Sequence, residues 1–211
     1  VFDKILIESL EYLPLRHGHH HEVIGVDFSA DIDFIMSLNF RIKCLETLKQ
    51  KNIDGEMIRN WVKKTTDDYF NQKTNKEVMN WSDFQSILDG EFWNYYLARE
   101  ESITNINTLV VNELRKDKNL KIGLVDFGPL YPLGPNNQRW QNGVNLNSLL
   151  PLIDEIHPTF YFADLDLIKE KYDVYKKVLN NKVEMIPAMR TILPQVSNQL
   201  DLNNQLQVFN K

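Results

Sequence analysis

Four short apolar segments, each long enough for one β-strand, recur along the sequence. They cover residues 2–7, 120–127, 159–163 and 182–189. The connections between them are long and carry no hairpin turn signal, so antiparallel pairing of neighbouring strands is not expected. The sequence therefore predicts an α/β fold in which the strands pair in parallel through right-handed helical crossovers.

Helical periodicity fills the connections between these strands. Apolar residues recur every three or four positions in the segments 30–50, 55–70, 90–116, 165–179 and 200–209. The first three of these, with a short helix after Ser82, form a helical segment at about 30–116. We expect this segment to be an insertion between the first and second strands.

The first strand–helix turn lacks the glycine-rich loop of a doubly wound nucleotide-binding fold. Polar residues follow the predicted strands instead, which is typical of (β/α)8 barrels, whose sites lie at the carboxyl ends of the strands. Four strands are half of a barrel, and both ends of the chain read as cut from something longer. We therefore expect residues 1–211 to be the C-terminal portion of one (β/α)8 TIM barrel domain, with the missing parts of its own barrel as partner.

Composition narrows the classes of partner. The chain of 211 residues is 43% apolar and 25% charged, as in ordinary globular proteins, and its net charge is −5. An acidic chain without a basic stripe is not expected to bind nucleic acid. No apolar run approaches the ~20 residues of a membrane span. The first residues show no signal-peptide pattern, but because the chain reads as cut from something longer this leaves the location open, with the cytoplasm favoured. No cofactor is implied.

Three carboxylates follow predicted strands and are the candidate catalytic residues. Glu8 follows the first strand, Asp126 lies at the end of the second, and Asp164 follows the third. Glycoside hydrolysis needs two carboxyl groups placed across the sugar bond, and such an arrangement could be drawn from these three. Arg190, at the end of the fourth predicted strand, is expected to bind substrate. A structural alternative is open for each carboxylate, because strand-end carboxylates also bind loop amides or pair with an arginine, for which Arg190 is available.

The loop after Glu8 is rich in groups that titrate or bind metal. It contains Glu11 and Tyr12, followed by His17, His19, His20 and His21. We expect these side chains to bind substrate at the mouth of the site. A divalent metal site and a purely structural loop are the alternatives, since adjacent side chains on an extended loop point in opposite directions and few reach one point. His157, the fifth histidine, stands beside Pro158 and is interpreted as structural.

Aromatic side chains that could stack on a sugar occur in two places. Tyr161, at the third strand, and Trp140, in the long loop after Asp126, are predicted to bind substrate. The cluster within residues 92–96 lies on a long amphipathic helix, and there we favour core packing over sugar binding.

The run Leu-Ile-Glu-Ser-Leu-Glu-Tyr-Leu-Pro-Leu-Arg-His-Gly-His-His-His-Glu over residues 6–22 resembles the signature of a poorly characterised group of bacterial glycoside hydrolase-like barrels. In that group a strand reading L-E-S/T-P-G-Y/W-L-P-Y is followed by H-G-x-H-H-E. An Asn-Leu-x-x-Leu stretch at 145–149 and an Arg-x-x-Leu-Pro ending at 190–194 agree. The resemblance implies a partial barrel with strands four to seven of eight, and it implies Glu8 as acid/base.

Two departures from related barrels bear on mechanism. The C-x-C-x-x-C run common after the histidine loop reads Asn39, Arg41 and Cys44 here, so no thiol metal site is expected. The segment matching strand seven ends without the nucleophile glutamate of retaining barrel glycosidases, and Glu184 lies near its start. Three hypotheses follow: a carbohydrate-active hydrolase using Glu8, a metal-assisted sugar isomerase or hydrolase using the histidines, and a non-catalytic carbohydrate-binding barrel.

Overall fold

The computed structural model describes residues 3–8, 38, 40–71, 81–116, 119–127, 138–139, 142–162, 164–189 and 199–209. Strand β1 (Lys4–Ile7) is followed by helices α1 (Ile42–Gln50), α2 (Gly55–Phe70), α3 (Trp81–Ser86) and α4 (Glu91–Leu114), with a 3₁₀ turn at Ile87–Gly90. Next come β2 (Lys121–Asp126), β3 (Gln138–Arg139), β4 (Val144–Asn145) and α5 (Leu146–Leu149), followed by a 3₁₀ turn at Leu150–Leu152. The last elements are β5 (Glu155–Phe160), α6 (Leu165–Leu179), β6 (Glu184–Met185), β7 (Ala188–Met189) and α7 (Gln199–Phe209).

The principal sheet is parallel, as the sequence predicts. Its order is β1-β2-β5-β6, and β7 also pairs with β5. The α/β class is thereby confirmed. Strand neighbours in this sheet follow chain order without a reversal, and each crossover inside it contains helix.

The chain forms two compact units. The first contains the principal sheet with α5, α6, α7 and the last turns of α4; the second contains α1, α2, α3 and most of α4. The helical segment predicted between the first two strands is present as helices within residues 42–70 and 81–114, while residues 72–80 and most of the predicted helix before Ile42 lie outside the described residues.

One face of the principal sheet is covered by helices. Ile122, Ile156 and Phe160 on this face are completely buried. The Phe160 ring packs against Tyr175 of α6 and Phe209 of α7, with ring centroids 6.1 and 5.2 Å apart. Burial of these apolar side chains stabilises the packing of α6 and α7 on the strands. We call this the helix-covered face.

Asp154 ties the end of α4 to the start of the sheet. Its Oδ2 accepts hydrogen bonds from Arg115 Nη1, at 2.9 Å, and from the backbone N–H of Ile122, at 2.8 Å. The Arg115 guanidinium, more than any other group, holds the pKa of the Asp154 carboxyl below its ordinary value. Asp154 therefore helps to fix where β2 and β5 begin relative to each other.

The helical unit is built around aromatic side chains. Phe84 is completely buried, and its ring meets Phe92, Trp93 and Tyr96 edge-on at centroid distances of 5.3, 5.8 and 5.6 Å. Tyr95 is 5% exposed. The prediction that this cluster forms core is confirmed, because Phe92, Tyr95 and Tyr96 are buried and the half-buried Trp93 packs against them.

Two strand boundaries differ from the prediction. Strand β5 begins at Glu155, four residues before Thr159, because Pro158 lies inside the strand and does not mark its start. The segment predicted as one strand at 182–189 consists of two short strands, separated by Ile186 and Pro187. Proline has no N–H for the ladder, which explains the interruption.

Candidate functional site

The other face of the principal sheet is polar. The strand register places Leu6, Gly123, Glu155 and Glu184 in one row across β1, β2, β5 and β6. A Cβ added to Gly123 would lie 2.5 Å from Leu6 Cδ2 and 3.0 Å from Glu155 Oε1, so these side chains share a face. We call it the polar face. It comprises Lys4, Leu6, Lys121, Gly123, Val125, Glu155, His157, Thr159 and Glu184.

Strand β5 supplies most of the chemistry of the polar face. Glu155, His157 and Thr159 alternate with Ile156, Pro158 and Phe160, and the second set lies on the helix-covered face. Interior parallel strands are normally apolar on both sides. Three consecutive polar side chains on one side of such a strand are therefore a feature that packing alone does not require.

Glu155 is the centre of a buried charge network. Its side chain is 1% exposed, and its Oε1 lies 2.8 Å from Lys4 Nζ and 2.7 Å from His157 Nε2. Burial raises the pKa of the Glu155 carboxyl, but the hydrogen bonds from Lys4 and His157 outweigh it and leave the pKa below its ordinary value. The Glu155 hydrogen bond in turn raises the pKa of Lys4. Glu155 is therefore ionised at neutral pH.

Two buried polar atoms on this face have no hydrogen-bond partner among the described residues. They are Glu155 Oε2 and Thr159 Oγ1, and Thr159 is 1% exposed. Buried polar atoms are nearly always satisfied, because an unmade hydrogen bond costs about 1–3 kcal/mol. A ligand carrying hydroxyl groups could satisfy both, since it can donate to the carboxylate and either donate to or accept from the threonine.

Glu8 follows the last residue of β1 and is exposed. Strand alternation places it on the same side as Lys4 and Leu6. Continuing the register by one row puts it level with Val125 and His157. Two interstrand spacings of ~4.8 Å separate the Glu8 and His157 backbones by roughly 10 Å. Of the three carboxylates predicted to be catalytic, Glu8 alone is on the polar face.

Asp126 lies on the helix-covered face. It is 2% exposed and accepts a hydrogen bond of 2.5 Å from the Tyr175 hydroxyl of α6. The Asp126–Tyr175 pair joins β2 to a helix, on the opposite side of the sheet from His157. The structure does not bring Asp126 together with Glu8.

Asp164 caps a helix. It is the N-cap of α6, where its Oδ1 accepts from the backbone N–H groups of Asp166, at 2.8 Å, and Leu167, at 3.1 Å. N-cap carboxylates satisfy amides that have no partner within the helix and interact favourably with the helix dipole. This is the structural alternative that the sequence left open for strand-end carboxylates.

Of the predicted substrate-binding residues, the structure describes Tyr161. It is half-buried, follows β5, and by alternation continues the polar series after Thr159. The remaining predicted binding residues lie outside the described residues: Glu11, Tyr12, His17, His19, His20, His21, Trp140 and Arg190.

Two further observations come from the described part of the chain. Within it, no three His, Cys, Asp or Glu side chains lie close enough together to hold a metal ion. Also within it, every helix is too short or too polar to cross a bilayer.

A surface cavity of about 670 Å³ lies at the amino-terminal edge of the sheet. It is lined by Asp154, which precedes β5, and by residues 179–185, which lead into β6. In parallel α/β folds, ligands bind beyond the carboxyl ends of the strands, and the amino-terminal edge serves stability. We therefore place the site at the polar face near Glu8 and not in this cavity.

Sequence reasoning missed Glu155 and Thr159 and interpreted His157 as structural. The signal was present as the alternation Glu-Ile-His-Pro-Thr-Phe at residues 155–160, in which polar and apolar side chains strictly alternate. The sequence alone does not reveal that this alternation forms one strand, because a proline such as Pro158 favours the start of a strand over its interior.

Comparison of the chain with models of protein families, with curated proteins and with solved structures finds no match. The function is therefore argued from the polar face and its geometry.

Proposed function

We propose that this chain is part of a (β/α)8 barrel of the glycoside hydrolase-like kind, that it binds carbohydrate at the polar face of its sheet, and that Glu8 is the general acid of a glycoside hydrolysis. The observation that carries the proposal is the polar row of β5, which faces the same side as Glu8.

The topology supports a barrel. In a (β/α)8 barrel each strand pairs with the next along the chain, whereas a doubly wound sheet reverses its order at a switch point. The order β1-β2-β5-β6 has no reversal, and the crossover from β5 to β6 carries a helix, α6, that packs on one face alone. In a barrel that face is the outside, so the polar face would be the interior.

The chemistry of the polar face supports a hydroxylated ligand. Glu155 Oε2 accepts, and Thr159 Oγ1 can accept or donate, so together they complement sugar hydroxyl groups. Tyr161, which follows this strand, offers a ring edge or face. Glu8 follows a strand at its carboxyl end, where barrel enzymes place catalytic groups.

The test compares Glu8→Gln with the unchanged protein on two classes of substrate. Alkyl glycosides have a poor leaving group that needs protonation, whereas dinitrophenyl glycosides do not. We expect Glu8→Gln to lower kcat on alkyl glycosides by about 10²–10⁴-fold, the usual range for a general acid, and to change turnover of dinitrophenyl glycosides much less. Equal turnover of both substrates by the variant and the unchanged protein would remove Glu8 from the mechanism.

Glu184→Gln is the matched control. Glu184 is on the same face and makes an ion pair with Lys121 at 3.9 Å, but it lies at the start of β6, away from the carboxyl ends of the strands. We expect this variant to keep the activity of the unchanged protein on both substrates. Loss of activity in Glu184→Gln equal to that in Glu8→Gln would mean that charge on the face, and not a positioned acid, is what matters.

A non-catalytic carbohydrate-binding barrel is the second candidate. It is favoured by the end of β7, where Ala188 and Met189 stand at the place that carries the nucleophile in retaining barrel glycosidases. Calorimetric binding of an oligosaccharide without release of reducing ends would select this candidate over hydrolysis. Neither binding nor turnover across a panel of oligosaccharides would reject both.

A further inference from the structure

We propose that His157 is the second proton-transfer group of the site and that Glu155 is its positioning residue. This inference rests on the proposed function, because it supplies the base that activates water in the hydrolysis that Glu8 assists as acid. It identifies a partner for Glu8 that is not a carboxylate, and it predicts the stereochemical outcome of the reaction.

The tautomer of His157 follows from its partner. A carboxylate without a proton can only accept hydrogen bonds, so at 2.7 Å from Glu155 Oε1 the His157 Nε2 atom must carry the hydrogen. In the neutral imidazole, Nδ1 is then the acceptor. Lys4 at 2.8 Å from the same Oε1 keeps Glu155 in the ionised form that this arrangement requires. The carboxylate and imidazole thereby form the orienting half of an activated base.

The environment of His157 contains charges of both signs. Lys4 and Lys121 come from β1 and β2, Glu155 from its own strand, and Glu184 from β6, while Glu8 is level with it across β2. The His157 side chain is 12% exposed.

The spacing of His157 and Glu8 suits inversion of the anomeric centre. Their backbones are separated by roughly 10 Å across two strand spacings. In inverting glycosidases the two side-chain carboxyl groups, and not the backbones, lie about 6.5–9.5 Å apart, which leaves room for a water molecule between base and sugar; the wide backbone separation of Glu8 and His157 is compatible with that spacing because both side chains are on one face. A retaining enzyme would need a nucleophile in place of that base, whereas in the proposed reaction His157 Nδ1 takes a proton from water.

The proposed hydrolysis takes one proton from Glu8 and gives one proton to His157. The Glu8 carboxyl gives its proton to the glycosidic oxygen, and the bond between that oxygen and the anomeric carbon breaks. A water oxygen forms the new bond to the anomeric carbon while His157 Nδ1 takes one of its protons. The products are the free sugar and an alcohol, Glu8 is left as carboxylate and His157 as imidazolium, and solvent returns the proton from one to the other.

The first test determines which ring nitrogen of His157 carries the hydrogen, and it does not depend on turnover. Long-range ¹H–¹⁵N NMR of the ¹⁵N-histidine-labelled protein, assigned by the missing signal of His157→Gln, should show that the His157 ring carries a proton on Nε2. In Glu155→Gln the amide can also donate to the ring, so the Nδ1-protonated form should appear. Protonation at Nδ1 alone in the unchanged protein would overturn the proposed orientation.

The second test measures the turnover of alkyl and dinitrophenyl glycosides by variants of His157 and Glu155. His157→Gln should lose about 10²–10⁴-fold in kcat on alkyl and dinitrophenyl glycosides alike, because water must be activated for either leaving group. Glu155→Gln should lower kcat by between about 10- and 10⁴-fold, as expected of a residue that orients a base, and should also raise KM because Glu155 Oε2 receives a sugar hydroxyl. Free imidazole should partly restore His157→Gly, a rescue that a merely structural role does not give.

The anomer released first, read by ¹H NMR, should be inverted; release of the retained anomer would overturn the base role. Full turnover by His157→Gln would remove His157 while leaving Glu8 and the proposed function in place. Absence of both sugar binding and turnover in the unchanged protein would instead reject the proposed function, and the catalytic role of His157 with it.

Discussion

Replacing Glu155 by glutamine should destabilise the protein in a way that depends on pH. Glu155 is the one carboxylate of the polar face whose side chain is almost fully buried, at 1% exposed, and it holds both Lys4 and His157. Glutamine keeps the shape but loses the charge. The change therefore weakens two hydrogen bonds without opening a cavity, which separates electrostatics from packing.

The magnitude follows from the contact that is protected from solvent. A hydrogen bond to a charged group contributes about 1.5–3 kcal/mol, and we assign this range to the pair with the largely buried His157. The Lys4 side chain is 38% exposed, so solvent screens its ion pair and it adds little. With a urea dependence of about 3 kcal/mol per M for a chain of this size, the midpoint should fall by about 0.5–1 M.

The sign of the pH dependence is set by the lowered pKa of Glu155. An unfolded glutamate titrates near pH ~4.3, so above that pH both states are ionised and the full contribution is present. As pH falls below this value, the unfolded chain binds the proton first, and the contribution is lost as pH falls through the folded pKa. The difference in free energy of unfolding between the unchanged protein and Glu155→Gln should thus be constant near neutral pH and should disappear in acid.

The matched control is again Glu184→Gln, because Glu184 occupies the same row and its ion pair with Lys121 is 60% exposed on both sides. It should change the free energy of unfolding by less than about 0.5 kcal/mol at any pH. Equal effects of the Glu155 and Glu184 substitutions, or a Glu155 gap that persists at pH 2, would refute the reasoning.

Substitutions at four further positions test the fold of the two units. Asp164→Ala should cost about 1 kcal/mol through loss of the α6 cap, with Asp164→Asn close to neutral and turnover unchanged in both. Tyr175→Phe should cost about 1–3 kcal/mol, because it removes a donor from the buried Asp126. Phe84→Ala should cost about 3–5 kcal/mol, since three rings pack against a completely buried side chain. Gly123→Ala should cost about 1–3 kcal/mol, because its Cβ would press on Glu155, which its partners hold in place. Urea unfolding followed by circular dichroism measures all four.

The substitutions Asp164→Ala, Tyr175→Phe and Phe84→Ala each have a matched control substitution elsewhere in the chain. Asp166→Ala removes a carboxylate from the first turn of α6 but not the cap, and it should cost less than Asp164→Ala. Tyr172→Phe removes a weaker hydrogen bond of 3.3 Å to the Phe209 carbonyl. Phe70→Ala acts on a side chain that is 52% exposed. Controls that cost as much as their partners would show that burial and contact geometry do not set these energies.

The parallel fold was predictable because its signals are local and redundant. The helix at Leu165–Leu179 is predicted with correct ends, since Asp164 caps its start and Asn180 ends it in the left-handed conformation. The strand ending at Asp126 was also predicted to within a residue. A helix on each long connection is what parallel pairing requires, so element type and pairing follow together.

The faces of the strands were not predictable in the same way. A parallel strand buried on both sides is apolar throughout, and its pattern does not say which side chain meets a helix and which faces the other way. Asp126 and Glu8 look equivalent in sequence because each stands at a strand end. They differ in the structure because they are on opposite faces of the sheet. Asp126 is on the same side as Phe160, which packs against α6, whereas Glu8 is on the same side as Lys4, which pairs with Glu155.

The position of a residue relative to a known core residue separates the strand-end carboxylates, because it assigns Asp126 to the helix-covered face and Glu8 to the polar face. Tyr175 fixes Asp126 on the helix side, and a row of contacts through Gly123 fixes Leu6 and Glu155 on the other. Once one residue per strand is assigned, every second residue follows by alternation. Applied to β5, this selects Glu155, His157 and Thr159, none of which lies at the strand's end. The proposed site thus combines side chains of β5 with Glu8, which follows β1 two strands away across β2, and the His157 experiments test that arrangement.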